Sequence, residues 1–171
     1  NEDIGNWNVS NVTTFKNAFR KSDKFNQDIS NWTINNSQFV TMDRMFADAI
    51  SFNNNISSWN VSSVTDMRYL FYSASLPHQF NQPIGNWDTS NVTTTRGMFY
   101  SMPFNQPIGN WNTSKVQDML GMFELNTAFN QPIGGWNVAS VTTMKWMFKG
   151  ATSFNQPIGN WNTSSVSNTQ D

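Results

Sequence analysis

The sequence predicts an α/β repeat solenoid with one short parallel strand and one short helical turn in each unit of about 25 residues. Three observations carry that expectation. Seven of the eight tryptophans, Trp7, Trp32, Trp59, Trp87, Trp111, Trp136 and Trp161, fall at intervals of 25, 27, 28, 24, 25 and 25 residues, and Trp146 alone is off the lattice. Counting from Phe129, apolar residues recur at Ile133, Trp136, Val138, Val141, Met144, Met147 and Phe148, and Phe154 starts the cycle again. Within the unit the spacing of those residues changes from two to three and four, which is a change from strand to helical period.

Each element follows from that pattern. The prolines at Pro83, Pro107, Pro132 and Pro157, each with a glycine two residues later, mark a chain reversal. Trp136-Asn-Val-Ala then reads as the strand, with Trp136 and Val138 inward and Asn137 and Ala139 outward. Val141, Met144, Met147 and Phe148 read as a short extended segment passing into one tight helical turn. The irregular intervals have local sources. Phe39 stands where a valine is due and two residues late, so Asn35-Asn-Ser37 is expected to hold a small bulge. Tyr72 to Gln79 lengthens the link to Phe80 by three residues and is expected to project as a loop carrying His78, the one histidine. Ser101-Met-Pro103 is one residue short. The expected organisation is a single solenoid domain over residues 1–171, six to seven repeats excised from a longer array, because both ends fall mid-unit without a capping repeat.

Composition narrows the function. Charged residues are 12% of the chain and the net charge is −1, so nothing favours nucleic acid or an anionic membrane as a partner. No apolar run approaches the roughly 20 residues of a membrane span, and the start lacks signal-peptide character. Cysteine is absent, which removes disulfides, thiolate ligands and thiol nucleophiles. Nine Asn-x-Ser/Thr sequons would crowd a repeat face with glycans in a eukaryotic secretory pathway, which favours a prokaryotic, mycoplasmal or viral source. The acidic residues are scattered over different columns and no nucleophile, phosphate-binding or metal-ligand motif occurs, so no enzyme activity, cofactor or metal is expected.

The run Ile-x-x-Trp-x-Val/Thr-x-x-Val-x-x-Met-x-x-Met-Phe-x-x-Ala-x-x-Phe resembles the repeat of BspA-like leucine-rich-repeat surface proteins. It is particularly similar to the Asn/Trp-rich repeats of mycoplasma and other bacterial surface lipoproteins. The clearest copies are Phe80 to Phe99, Phe104 to Phe123 and Phe129 to Phe148, and the resemblance covers essentially the whole chain. It implies a leucine-rich-repeat-like right-handed coil, a cell-surface or secreted location, and a role in adhesion or host interaction.

Several columns bear on a site. The tryptophan column is expected in the core, and the asparagine after each Phe (Asn26, Asn53, Asn81, Asn105, Asn130, Asn155) is expected to bond the turn backbone and its stacked copy. Lys16, Arg68, Arg96 and Lys145 form a basic column broken by Asp43 and Leu120, which reads as a solvated face. The outward strand face is the candidate ligand-binding surface, carried by Asn60, Ser62, Asn86, Asp88, Ser90, Asn110, Asn112, Ser114, Asn137, Asn160 and Asn162. Amides and hydroxyls of this kind suit a glycan or a peptide backbone. Trp146 and Tyr69 are candidate exposed aromatics on the outer ridge. The expected function is a recognition or adhesion module that binds a host or neighbouring-cell protein or glycan. The alternatives are a structural spacer without a specific ligand, and an ice-binding solenoid suggested by Thr13, Thr41, Thr65, Thr93 and Thr142, a column that Gln117 breaks.

Overall fold

The computed structural model describes residues 2–74 and 77–167. Successive repeats lie on one another as stacked coils, and the hydrogen bonds say how. In the first coil the N–H groups of Phe15, Asn17, Phe19 and Lys21 donate to the carbonyls of Thr41, Asp43, Met45 and Ala47 in the next. The intervening N–H groups of Ala18, Arg20 and Ser22 turn back to Phe15, Asn17 and Phe19. The same alternation recurs four coils on, where Met119, Gly121, Phe123 and Leu125 donate to Thr143, Lys145, Met147 and Lys149. These backbone donors are thus used alternately within a turn and between coils, which is what a buried polar backbone requires.

Regular secondary structure is sparse. β1 (Val40–Thr41) and β2 (Val64–Asp66) pair in parallel, Val40 opposite Val64 and Thr41 opposite Asp66. Single parallel bridges extend the line through Thr14, Thr94, Asp118 and Thr143. The extended segment therefore lies at Val-Thr-Thr/Asp, where the spacing from Val141 suggested one, and not at Trp-Asn-Val, where the sequence suggested the strand. The reason is local. In the repeat at Trp136, the Asn137 side-chain oxygen takes the Ala139 N–H at 3.1 Å and the Val138 carbonyl takes the Val141 N–H at 3.0 Å, so turns consume the donors a ladder needs. Trp136 and Val138 are nevertheless buried and Asn137 exposed, so the inward and outward assignment holds on a turn instead of a strand.

The expected helical turn is also replaced. No helix occurs among the described residues, and the period of three to four comes from consecutive hydrogen-bonded turns. Positive φ angles recur twice in five of the coils, four residues apart: Asn17 and Lys21, Arg44 and Asp48, Gly97 and Ser101, Gly121 and Leu125, Trp146 and Gly150; in the coil between Arg44 and Gly97, Tyr69 adopts one alone. A left-handed residue at each of these places prevents a right-handed helix from propagating and frees alternate N–H groups for the neighbouring coil.

Three aromatic stacks fill the interior. Within a coil two phenylalanines lie face to face, as in Phe99 and Phe104 at 4.0 Å, Phe46 and Phe52 at 4.0 Å, and Phe123 and Phe129 at 3.9 Å. Between coils the phenylalanines follow at 5.6 Å for Phe99 and Phe123, and the tryptophans at 6.4 Å for Trp87 and Trp111 and for Trp111 and Trp136. The tryptophans of the middle coils are buried, whereas Trp7 is 61% exposed. The reversal before each tryptophan is a turn in which Trp111 N–H donates to Ile108 at 3.1 Å. Gly109 is required there by close approach, since a Cβ would lie 2.5 Å from the Pro132 carbonyl oxygen of the next coil.

The irregular intervals resolve differently from the reading above. Val40, not Phe39, takes the valine slot: Val40 is buried in β1 and Phe39 is 70% exposed. Asn35 organises the insertion from inside, its side-chain oxygen accepting from the Ser37 N–H and hydroxyl at 2.9 Å each. β1 then runs one residue short, with Thr41 opposite Asp66 across a bulge, so a three-residue insertion less one gives the interval of 27. The loop before Phe80 does not carry His78 outward. His78 is fully buried, its Nδ1 accepting the Phe80 N–H and its Nε2 bonding the Phe46 carbonyl, both at 3.1 Å. Ser75 and Leu76 of that loop lie outside the described residues.

Candidate functional site

The polar columns divide into those consumed by the architecture and those presented to solvent. The asparagine after each phenylalanine is consumed: its side-chain oxygen accepts the backbone N–H of its copy in the next coil, at 2.9 Å from Asn26 to Asn53, 3.1 Å from Asn53 to Asn81, 2.9 Å from Asn81 to Asn105, 3.0 Å from Asn105 to Asn130 and 2.9 Å from Asn130 to Asn155. Threonine hydroxyls of the extended column are consumed as well, Thr93 donating to the Thr65 carbonyl and Thr142 to the Gln117 carbonyl at 3.0 Å.

Three of the four residues of the basic column are paired locally. Lys16 pairs with Asp43 at 3.2 Å, Arg68 with Asp66 at 2.6 Å, and Arg96 lies 3.7 Å from Asp118. The fourth, Lys145, lies over the Trp146 ring, and ion pairs with an exposed cation contribute little to stability. Among the described residues no cluster of His, Cys, Asp or Glu could hold a metal, and no helix is long and apolar enough to cross a membrane.

The asparagine row after the tryptophans is presented to solvent. Asn60, Asp88, Asn112, Asn137 and Asn162 are all exposed. Each spends one side-chain oxygen on the backbone two residues on: Asn60 on Ser62 at 3.1 Å, Asp88 on Ser90 at 3.0 Å, Asn112 on Ser114 at 3.1 Å, Asn162 on Ser164 at 3.2 Å. The Ser114 hydroxyl adds a second bond to Asn112 at 2.7 Å. Because the oxygen faces the turn, the amide nitrogens of Asn60, Asn112, Asn137 and Asn162 point away from it as donors. Bonds from the Ser90 side chain and backbone hold the Asp88 carboxyl below its ordinary value. In the row before the tryptophans, Asn86, Asn110 and Asn160 are exposed, and Asn86 is tied to the Ser57 carbonyl at 3.0 Å. Ser62, Ser90 and Ser114 are half-buried and serve the turns.

Tyr69 and Trp146 are partly buried, not prominent. The Arg44 guanidinium lies 4.5 Å from the Tyr69 ring centre, and Arg96 Nε donates to the Tyr69 hydroxyl at 2.9 Å. The ammonium groups of Lys145 and Lys149 lie 4.2 and 4.7 Å from the Trp146 ring centre. Both aromatics occupy the left-handed column, together with Gly97 and Gly121. That column escaped the sequence reading, although two glycines in register with Tyr69 and Trp146 were its available sign.

Ladders that repeat with the sequence, and polar rows carried outside them, define a repeat protein. Residues 1–99 and 75–171 each match the family described as Mycoplasma protein of unknown function, DUF285, and the chain belongs to that family. No curated protein and no solved structure matches it.

Proposed function

We propose that this chain is a cell-surface recognition module that binds a protein or glycan of a host or neighbouring cell, built as a leucine-rich-repeat-like right-handed solenoid of the BspA-like kind. The observation that carries the reading is the row of outward amide donors at Asn60, Asn112, Asn137 and Asn162, each fixed by its own turn. Coils about 4.8 Å apart present those donors at intervals that suit the acceptors of an extended peptide or a glycan chain. Fixed side chains lose little entropy on binding, so weak single contacts add along the row. Membership of a family described from Mycoplasma supports the surface setting.

The test is a triple variant, Asn60→Asp, Asn112→Asp and Asn137→Asp. Asp88 already occupies this row and keeps the same turn, so the variant removes donors without removing the fold. Wild type and variant are compared on immobilised extracellular-matrix proteins and glycans at physiological salt. Binding lost in the variant, with an unchanged melting temperature, supports recognition by this row. Binding by neither protein across the panel favours the spacer.

A further inference from the structure

The coil that departs from the common spacing between tryptophan and valine carries an exposed aromatic ring. From Trp32 to Val40 the chain takes three residues more than from Trp59 to Val64 or from Trp87 to Val92. The residue before the valine is Ser63 in the next coil and Asn91 in the one after, but here it is Phe39, which is 70% exposed. Among the described residues no other ring and no cation lies against it.

The ring is held from both sides. Asn35 is buried, and its side-chain oxygen takes the N–H and hydroxyl of Ser37 at 2.9 Å each and the Gln38 N–H at 3.3 Å. The Asn35 carbonyl accepts the Ser63 hydroxyl, and beyond Phe39 the Val40 N–H donates to the Ser63 carbonyl at 3.0 Å. The insertion is thus tied to the next coil at either end, so a ligand would meet Phe39 already in place.

Because the next coil has no insertion, a cleft of about 340 Å³ opens between Phe39 and Asn91, with Ser62 and Ser63 between them. That volume is at the small end for a ligand cleft. Asn36, Ser37 and Gln38 complete the lining, so no charged side chain lines it. Asn91 is already engaged, its Nδ2 donating to the Ser62 carbonyl at 2.8 Å and its Oδ1 accepting the Lys115 ammonium at 2.6 Å. The side chains of Asn36 and Gln38 and the hydroxyl of Ser62 have no hydrogen-bond partner among the described residues. Ser62 belongs to the turn that Asn60 closes, so the cleft adjoins the asparagine row.

We propose that this cleft seats one uncharged pyranose ring of a glycan against Phe39. The inference rests on the recognition reading above and names its ligand. The C–H face of a pyranose carries partial positive charge and stacks on the negative face of an aromatic ring. Its hydroxyls both donate and accept, as the two free amides and the free hydroxyl require. An apolar peptide side chain in the same space would leave those three groups facing it unpaired. A charged ligand would find no opposite charge on the lining.

The repeats supply the variants. Phe39→Ser copies Ser63 and Ser140, Ser62→Ala copies Ala139, and Phe39→Trp keeps a ring in place. The probes are lacto-N-tetraose, mannohexaose, cellohexaose and chitohexaose, titrated calorimetrically into the wild type, these variants and the triple Asn→Asp variant, with melting temperatures measured alongside. At least one probe should bind the wild type, weaken ten-fold or more in Phe39→Ser, weaken in Ser62→Ala and hold in Phe39→Trp. Absence of binding by all four sugars would overturn the proposal while leaving the asparagine row to its own panel of matrix proteins. Sugar binding that survives Phe39→Ser and disappears in the triple variant would overturn it too, and would assign the sugar to the asparagine row. Loss of matrix-protein binding in Phe39→Ser, with no sugar bound, would overturn it in favour of an apolar protein contact.

Discussion

The indole N–H of Trp111 donates to the backbone carbonyl of Ile84, 3.0 Å away and 27 residues earlier. The same bond joins Trp59 to Ile29, Trp87 to Ile56 and Trp136 to Ile108, so each tryptophan is at once a core ring and a rivet between coils. Trp111→Ala removes a ring that is 96% buried and should destabilise by about 3–5 kcal/mol in chemical denaturation. Trp111→Phe keeps an aromatic ring but leaves the Ile84 carbonyl without its indole donor, and should still cost about 1–3 kcal/mol. Equal stability of Trp111→Phe and wild type would show that the rivet is unimportant.

Asn105 stands in the middle of the asparagine ladder. Its side-chain oxygen accepts from the Asn130 N–H and from Gln131 Nε2, both at 3.0 Å. Asn105→Ala strands the Asn130 N–H and should cost about 1–2 kcal/mol, whereas Asn105→Asp retains an acceptor and should cost less. Thermal melts of the two variants side by side read the difference.

His78 makes stability depend on pH. Burial lowers its pKa from 6.5 to about 4, against the weaker opposing pull of the Phe46 carbonyl and of Asp48. In the unfolded chain the imidazole gains its proton near pH 6.5, while in the folded chain it stays neutral until about pH 4. The unfolded state therefore binds more protons in that window, and stability falls as pH falls from 6.5 towards 4, by about 3 kcal/mol in total. His78→Asn should flatten the slope, since Asn126 holds a comparable buried place before Phe129 and accepts from its N–H at 3.0 Å. Urea denaturation at several pH values from 4 to 7 checks this, and an unchanged slope in the variant would assign the dependence elsewhere.

Thr95 holds a slot that Met42, Met67, Met119 and Met144 fill in other coils, and its buried hydroxyl has no hydrogen-bond partner among the described residues. Thr95→Val removes the unpaired oxygen at nearly constant volume. It should stabilise by about 1 kcal/mol, read as a raised denaturation midpoint. A lowered midpoint would mean that the hydroxyl is satisfied.

What could be read from the sequence was what repeats with identical chemistry. The Trp136 and Val138 slots were legible as inward and the Asn105 ladder as structural, because each column recurs with one residue type and one physical role. The extended segment after Val141 was legible, but the turn at Trp136 read as a strand, because the two-residue period of Trp136 and Val138 is also made by a turn that Asn137 closes. Positive φ was hidden where Arg44, Tyr69 and Trp146 adopt it, residues that do not advertise a left-handed backbone. Phe39 and Val40 compete for one slot in the sequence, and only the pairing of Val40 with Val64 decides between them. Of the candidate site, exposure of the asparagines was legible; the half-burial of Tyr69 and Trp146 was not, because the basic side chains that meet their rings leave no mark on the apolar pattern.

Indole hydrogen exchange tests the stacking of coils most directly, since the polar row depends on it. The Nε1–H groups of Trp59, Trp87, Trp111 and Trp136 are bonded to carbonyls in buried positions, whereas the Trp7 ring is 61% exposed. Followed by nitrogen-resolved NMR after transfer to deuterated water, those four indole protons should persist long after the Trp7 proton has exchanged. Exchange of Trp111 as fast as Trp7 would contradict the stack.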